Sequence, residues 1–140
     1  MVEIFFEDTE ILDLDPEFFA SWMSEVCSIE EQELGDLTLV FCSDEHLLGM
    51  NQKHLNHDYY TDIITFDYTD EVVSGDLFIS VDRVKDNASN EGVSFKEELN
   101  RVVAHGVLHL LGFKDKSVED IQQMRAKENH ALTLIVSRET

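Results

Sequence analysis

Positive charge is what this sequence has least of. No lysine or arginine precedes Lys53, and the whole chain holds ten basic residues against thirty acidic ones. The formal net charge of −20 excludes a broadly basic surface for nucleic acid, so any polyanion has to be met at a local site. Cysteine is nearly absent too. Cys27 and Cys42 each sit in an apolar stretch with no CxxC partner, which excludes a disulfide framework and a thiolate metal cluster. Two buried thiols in a reducing compartment follow, and a cytoplasmic location with them. Pro16 is the only proline and there are six glycines, so the chain contains no Pro/Gly-rich linker and is expected to form one domain over residues 1–140. No apolar run approaches the ~20 residues that cross a bilayer, and MVEIFFEDTE lacks the basic n-region of a signal peptide. No membrane partner is expected.

The remaining pattern alternates strands and helices. Residues 2–6 read as a strand. Asp15-Pro16-Glu17 starts a helix with a capping acid, proline at the first helical position and a further acid at the positive dipole end. Phe18, Phe19, Trp22, Met23 and Val26 follow at helical spacing, predicting a helix to about residue 33. Gly35-Asp36 is expected to break the chain before a strand over residues 37–42. Ser43 or Asp44 caps a short helix, and residues 51–61 read as a loop. Residues 63–68 are β-branched and aromatic, hence a strand. Ser74-Gly75 is expected to turn into a strand over 76–81, making a hairpin with a longer loop. A helix is predicted over 82–90, another opens at the capping box Ser94/Glu97 and ends at Gly112, and Ser117/Asp120 begins the last, which reaches about residue 137. About four strands with helices before, between and after them predict an α+β or mixed α/β fold.

One segment carries chemistry. His105 and His109 stand four residues apart on a helix, a separation that advances ~6 Å and returns to nearly the same face. By itself HxxxH is a weak signal, since histidine pairs serve many roles. Here the flanks Val102, Val103, Val107, Leu108, Leu110 and Leu111 make this the most apolar helix, and buried imidazoles need partners. Gly112 lets the chain reverse, and Asp115 arrives three residues later. HxxxHxxGxxD thus offers two nitrogens and one oxygen to a divalent ion, most simply Zn2+, and three protein ligands leave a position open, as catalytic zinc sites do. The same ligands suit nickel, cobalt, manganese or iron. In zinc proteases the second position of HExxH is the general base; here it is Gly106, which argues against peptide hydrolysis and leaves the water-activating group unassigned.

These residues resemble a known family, the bacterial YbeY-type endoribonucleases of ribosomal RNA maturation. The family motif HGxLHLxGYDH is similar to HGVLHLLGFKD here, Thr61-Asp62-Ile63-Ile64-Thr65-Phe66 to its TDVLSF strand, and Gly75-Asp76-Leu77-Phe78-Ile79-Ser80 to its GDIxIS strand. Asn51, Asp58, Met124 and Glu128 also match, so the likeness covers roughly residues 48–130. The resemblance implies an α+β domain with the metal helix over a four-stranded mixed sheet, and metal-assisted cleavage of single-stranded RNA, with small-subunit ribosomal RNA as substrate and the ribosome as setting. Two positions depart from the pattern. Asp115 stands where the third ligand is usually histidine, bringing a formal negative charge that weakens a Lewis acid, and Lys114 and Lys116 flank it, placed to offset that charge or contact phosphate. The loop before residue 61 normally carries an arginine; the aligned residue is Leu55, with Lys53, His54 and His57 as polar neighbours. Asp62 and Asp76 are candidates for an outer shell around the ligands. A competing reading is a ribosome-assembly protein with a largely structural metal, whose acidic surface suits a basic ribosomal protein. A metzincin-like peptidase is the weaker alternative.

Overall fold

The computed structural model describes the backbone of residues 1–139 and the side chains of residues 1–135. Strand β1 (Val2–Phe6) alternates inward Val2, Ile4 and Phe6 with exposed Glu3 and Phe5. Helix α1 (Pro16–Ile29) starts as expected, with the Asp15 carboxylate accepting from the Glu17 amide at 3.0 Å. It is shorter than the apolar spacing predicts, because Glu31 turns the chain at φ 60 and β2 (Leu34–Cys42) already begins at Leu34. Gly35 and Asp36 therefore lie inside a strand, at a register irregularity between Leu34 and Leu37, and not in a break before it.

Helix α2 (Asp44–His54) is capped by Ser43, whose hydroxyl accepts from the His46 amide. It runs through residues 51–54, expected as loop. Asn51 explains the extension: its carbonyl takes the amides of Leu55 and His57, and its buried side chain donates to the Tyr59 carbonyl at 2.9 Å. Then follow β3 (Ile63–Asp67), β4 (Val73–Ser80), α3 (Val81–Glu91), α4 (Phe95–Leu110) and α5 (Val118–Glu139). The sheet order is β1-β2-β4-β3; β1, β2 and β4 are parallel, and β3 is antiparallel to β4. The α+β reading with a four-stranded mixed sheet is what the chain adopts. Ser74-Gly75, expected as a turn, sits within β4. A Cβ on Gly75 would stand 2.6 Å from the Phe66 carbonyl oxygen and 2.8 Å from Leu110 Cδ2, so this glycine serves helix-on-sheet packing.

The main core lies between the sheet and α1, α3, α4 and α5, around Trp22, Met23, Leu39, Leu77 and Val103. Trp22 also donates its indole N–H to the Ala131 carbonyl at 2.8 Å, tying α1 to α5. A second, smaller cluster of Cys42, Leu47 and Ile64 seats α2 near β3 and β4. No helix among the described residues is long and apolar enough to cross a membrane.

Both thiols are buried and unpaired. Burial pushes Cys27 up to about 11, and burial plus nearby acids push Cys42 up to about 12. Since the thiolate is the nucleophile, native protein at pH 8 should react with a disulfide reagent at least ~100-fold more slowly than unfolded chain. The linkage has a definite sign. An acid whose folded pKa is raised contributes its stability in full below the unfolded value of 9.0 and loses it as pH climbs toward the folded pKa, so a melting series should decline above pH 9.

Candidate metal centre

Helix α4 brings the two histidines together. Ser94 caps it by accepting from the Glu97 amide at 3.0 Å. Gly106 packs so tightly on the sheet that a Cβ there would lie 2.7 Å from Ile63 Cδ1 and Leu77 Cδ1. With position 106 against β3 and β4, positions 105 and 109 turn to the open side of the helix, and His105 and His109 are about a quarter exposed (23% and 27%). Their Nε2 atoms stand 2.9 Å apart, with the rings nearly perpendicular at 83°.

The exit from α4 completes the arrangement. The Gly112 amide bonds the His109 carbonyl and the Phe113 amide bonds the Leu108 carbonyl, each at 3.0 Å. This pair of bonds, with Gly112 at φ 101, is a Schellman turn, which needs a residue comfortable at positive φ. The turn puts the Phe113 carbonyl 2.9 Å from His109 Nδ1 and carries Asp115 back, so that its Oδ2 lies 3.3 Å from both Nε2 atoms.

The proton inventory tests whether a cation fits. A carbonyl only accepts, so His109 Nδ1 carries the hydrogen and presents a lone pair at Nε2. His105 Nδ1 meets the Glu128 carboxylate at 2.7 Å and donates there, so in the neutral ring, the form a cation selects, Nε2 is the acceptor. Two imidazole lone pairs and a carboxylate oxygen therefore face one another across edges of 2.9, 3.3 and 3.3 Å. Tetrahedral ligands about 2.0–2.1 Å from zinc are separated by roughly 3.3 Å. His105, His109 and Asp115 are thus a set that could hold a metal ion.

Glu128 is the residue whose part the sequence pattern did not assign. It sits 5% exposed on α5, in the stripe Met124–Glu128–Ala131–Ile135 that otherwise faces the core. A carboxylate on an apolar stripe was the available signal. Burial alone would raise its pKa, but the His105 hydrogen bond and Arg101, 3.1 Å from Oε1, hold it below the ordinary range. Burial likewise opposes charge on His105, while Glu128, Asp62 and Asp115 outweigh it and raise the His105 pKa. Asp62, just before β3, lies close enough to feel His105 and Glu128; burial chiefly raises its pKa, and its backbone carbonyl anchors the Ser80 amide at 2.9 Å. Glu98, buried one helical face along, is raised by burial and then by Asp62.

Asp76 is not brought to this cluster. Gly75 and Leu77 meet α4, so the intervening residue of the strand points to the opposite face, where, after burial, the Asp76 charge helps to raise the pKa of Tyr68. Lys114 is exposed beside Asp115. Leu55, His57 and Tyr59 belong to the loop that Asn51 organises, with the His57 and Tyr59 rings 5.3 Å apart. A cavity of about 530 Å³ lies around Leu12, Phe18, Phe95 and Leu99 near the start of α4; Asp13, Asp15, Lys96 and Asn100 also line it, and it includes none of His105, His109 and Asp115.

Comparison with known proteins follows the same lines. The sequence model of the family described as Endoribonuclease YbeY matches residues 4–135. An endoribonuclease YbeY of Flavobacterium johnsoniae is 50% identical over 117 residues, covering 83% of this chain and 84% of that protein. Another from Cytophaga hutchinsonii is 47% identical over 135 residues, 94% of each. The solution structure of TM1509 from Thermotoga maritima superposes with a TM-score of 0.64 over 99% of this chain and 93% of that one, at 24% identity, and so shows the shared fold. With the family's sequence pattern running from β1 into α5 and close relatives at both scales of coverage, this chain belongs to the endoribonuclease YbeY family.

Proposed function

We propose that this chain is a single metallohydrolase domain over residues 1–140 that cleaves single-stranded RNA, acting in the cytoplasm on small-subunit ribosomal RNA during its maturation and in ribosome quality control. The observation that carries this reading is the convergence of His105 Nε2, His109 Nε2 and Asp115 Oδ2 across edges of 2.9, 3.3 and 3.3 Å. These three are the proposed ligands of one Zn2+. When bound, such an ion polarises a phosphoryl oxygen and acidifies its water.

The surrounding residues prepare that chemistry. The Phe113 carbonyl and the Glu128 carboxylate each take the Nδ1 hydrogen of a histidine, fixing the tautomer that presents Nε2. The His105 hydrogen bond, and then Arg101, keep Glu128 ionised. Asp115 adds a negative charge that a third imidazole would not, and Lys114 and Lys116 stand beside it to offset it. After Glu128, Asp62 is the outer carboxylate with the most influence on His105, and the general base is unassigned. The acidic segment before Lys53 suits a basic ribosomal protein as partner. Because the relatives named above are endoribonucleases, cleavage is favoured over a merely structural metal. Peptidase chemistry of the HExxH kind is disfavoured further, since position 106 faces the sheet.

Elemental analysis of the purified protein, paired with single-strand RNA cleavage with and without chelator, tests the reading. About one ion per chain is expected, with cleavage lost to the chelator. Asp115→His should keep the metal and Asp115→Ala should lose most of it. Equal cleavage in chelator, or unchanged metal in Asp115→Ala, would overturn the assignment.

A further inference from the structure

A protein with a net charge of −20 has to capture RNA with few cations, and most of those described are already spent. Arg83 pairs with Asp44 and Asp86, Lys85 with Glu10, Arg101 with Glu128 and Lys127 with Glu30, while Lys96 is engaged elsewhere. Among the described residues, Lys53, Lys114 and Lys116 form no ion pair. Two of these three flank Asp115, the residue whose carboxylate faces both histidines, and both are exposed.

A fourth cation is only loosely held. Arg125, half exposed on α5, reaches Glu128 Oε1 at 3.5 Å. That carboxylate is already occupied by Arg101 at 3.1 Å and His105 at 2.7 Å. A guanidinium has five N–H donors, and this long contact uses at most one. One helical turn earlier on α5, Ile121 is exposed as well. Lys114 and Lys116 thus flank one candidate ligand, and Arg125 reaches the carboxylate that holds another.

We infer that Lys114, Lys116 and Arg125 form a phosphate-binding lip on the metal centre, taking the sugar-phosphate backbone of single-stranded RNA on either side of the bond to be cut. Lys114 and Lys116 act as point charges, and Arg125 offers its planar fork to two oxygens of one phosphate. The strand is held without base readout, so capture depends on ionic strength and little on sequence. The lip rests on the endoribonuclease reading for its substrate.

The test is equilibrium binding of the metal-loaded protein to a fluorescent, hydrolysis-resistant phosphorothioate RNA oligonucleotide across a salt series. Each neutralised phosphate contributes about 0.7 to the slope of log affinity against log salt. Lys114→Ala/Lys116→Ala should therefore reduce the slope by about 1.4, and Arg125→Gln by about 0.7. On cleavable RNA the same variants should raise KM several-fold. Lys85→Ala makes the same one-unit change in net charge as Arg125→Gln, at a cation paired with Glu10, and should leave the slope in place. An unchanged slope in the triple variant, an equal drop in Lys85→Ala, or no oligonucleotide binding by the wild type would each overturn the lip. Wild type that binds with the expected slope and never cleaves would sustain the lip and overturn the endoribonuclease reading.

Discussion

Replacing His109 with alanine should strip the metal and abolish RNA cleavage while the domain stays folded. His109 is the proposed ligand whose loss disturbs least else. It is 27% exposed, and its Nδ1 hydrogen goes to the Phe113 carbonyl, which water can reach and satisfy afterward. The Schellman turn at Gly112 is made by backbone groups and survives the truncation. What disappears is one of two nitrogens facing the ion, leaving one nitrogen and one carboxylate oxygen. His105 is a poorer choice, because removing it leaves Glu128 buried with the charges of Arg101 and Arg125 only. Losing an outer hydrogen-bond partner of a metal-bound histidine typically costs 10–100-fold in affinity or activity. Glu128→Gln, which keeps an acceptor for His105 but drops the charge, should fall in that range, and His109→Ala should exceed it. Elemental analysis after dialysis and initial rates on single-stranded RNA check both. A His109→Ala protein with full metal and activity would remove the basis of the ligand assignment.

Installing the base of a zinc protease, Gly106→Glu, should instead unfold a large part of the protein's stability margin and yield no peptidase. The Cβ would enter the helix–sheet interface 2.7 Å from Ile63 and Leu77 methyl groups. These are ends of flexible side chains, so alanine is tolerable: about 1–3 kcal/mol of overpacking is partly offset by about 1 kcal/mol of helix propensity. Glutamate adds an ionised carboxylate in an apolar layer, and an uncompensated buried charge costs roughly 3–5 kcal/mol. Against a typical domain stability of about 5–15 kcal/mol, that should lower the melting temperature by more than about 10 °C. Thermal melts of both variants decide it. A Gly106→Glu protein melting with the wild type would mean that α4 does not pack this closely on β3 and β4.

These two residues also mark how far the chain could be read without its fold. His105 and His109 are four apart on a helix bounded by Ser94 and Gly112, and those are local relations that any α-helix imposes. The same holds for the helix starts at Asp15, Ser43, Ser94 and Ser117, each confirmed by a side chain accepting a nearby amide. Asp115 was legible as well, because a glycine-ended helix sends the chain back within a few residues. Gly75 reads as a turn and Gly106 only as a missing side chain, although both sit at close helix–sheet contacts: glycine in a sequence can mean a turn, a missing side chain or a close contact, and only the neighbouring element decides which.

Sequence by itself therefore determined the mixed α+β layout, the capped helices and the two histidines with their returning aspartate. The tertiary structure decided which polar residues join them. Glu128 enters from another helix and Asp62 from the approach to β3, while Asp76 is lost to the far face of the sheet. The physical reason is that helix period and capping act over three or four residues, whereas these placements depend on which face of a strand a helix covers and how closely the two pack. Nothing within either segment encodes that.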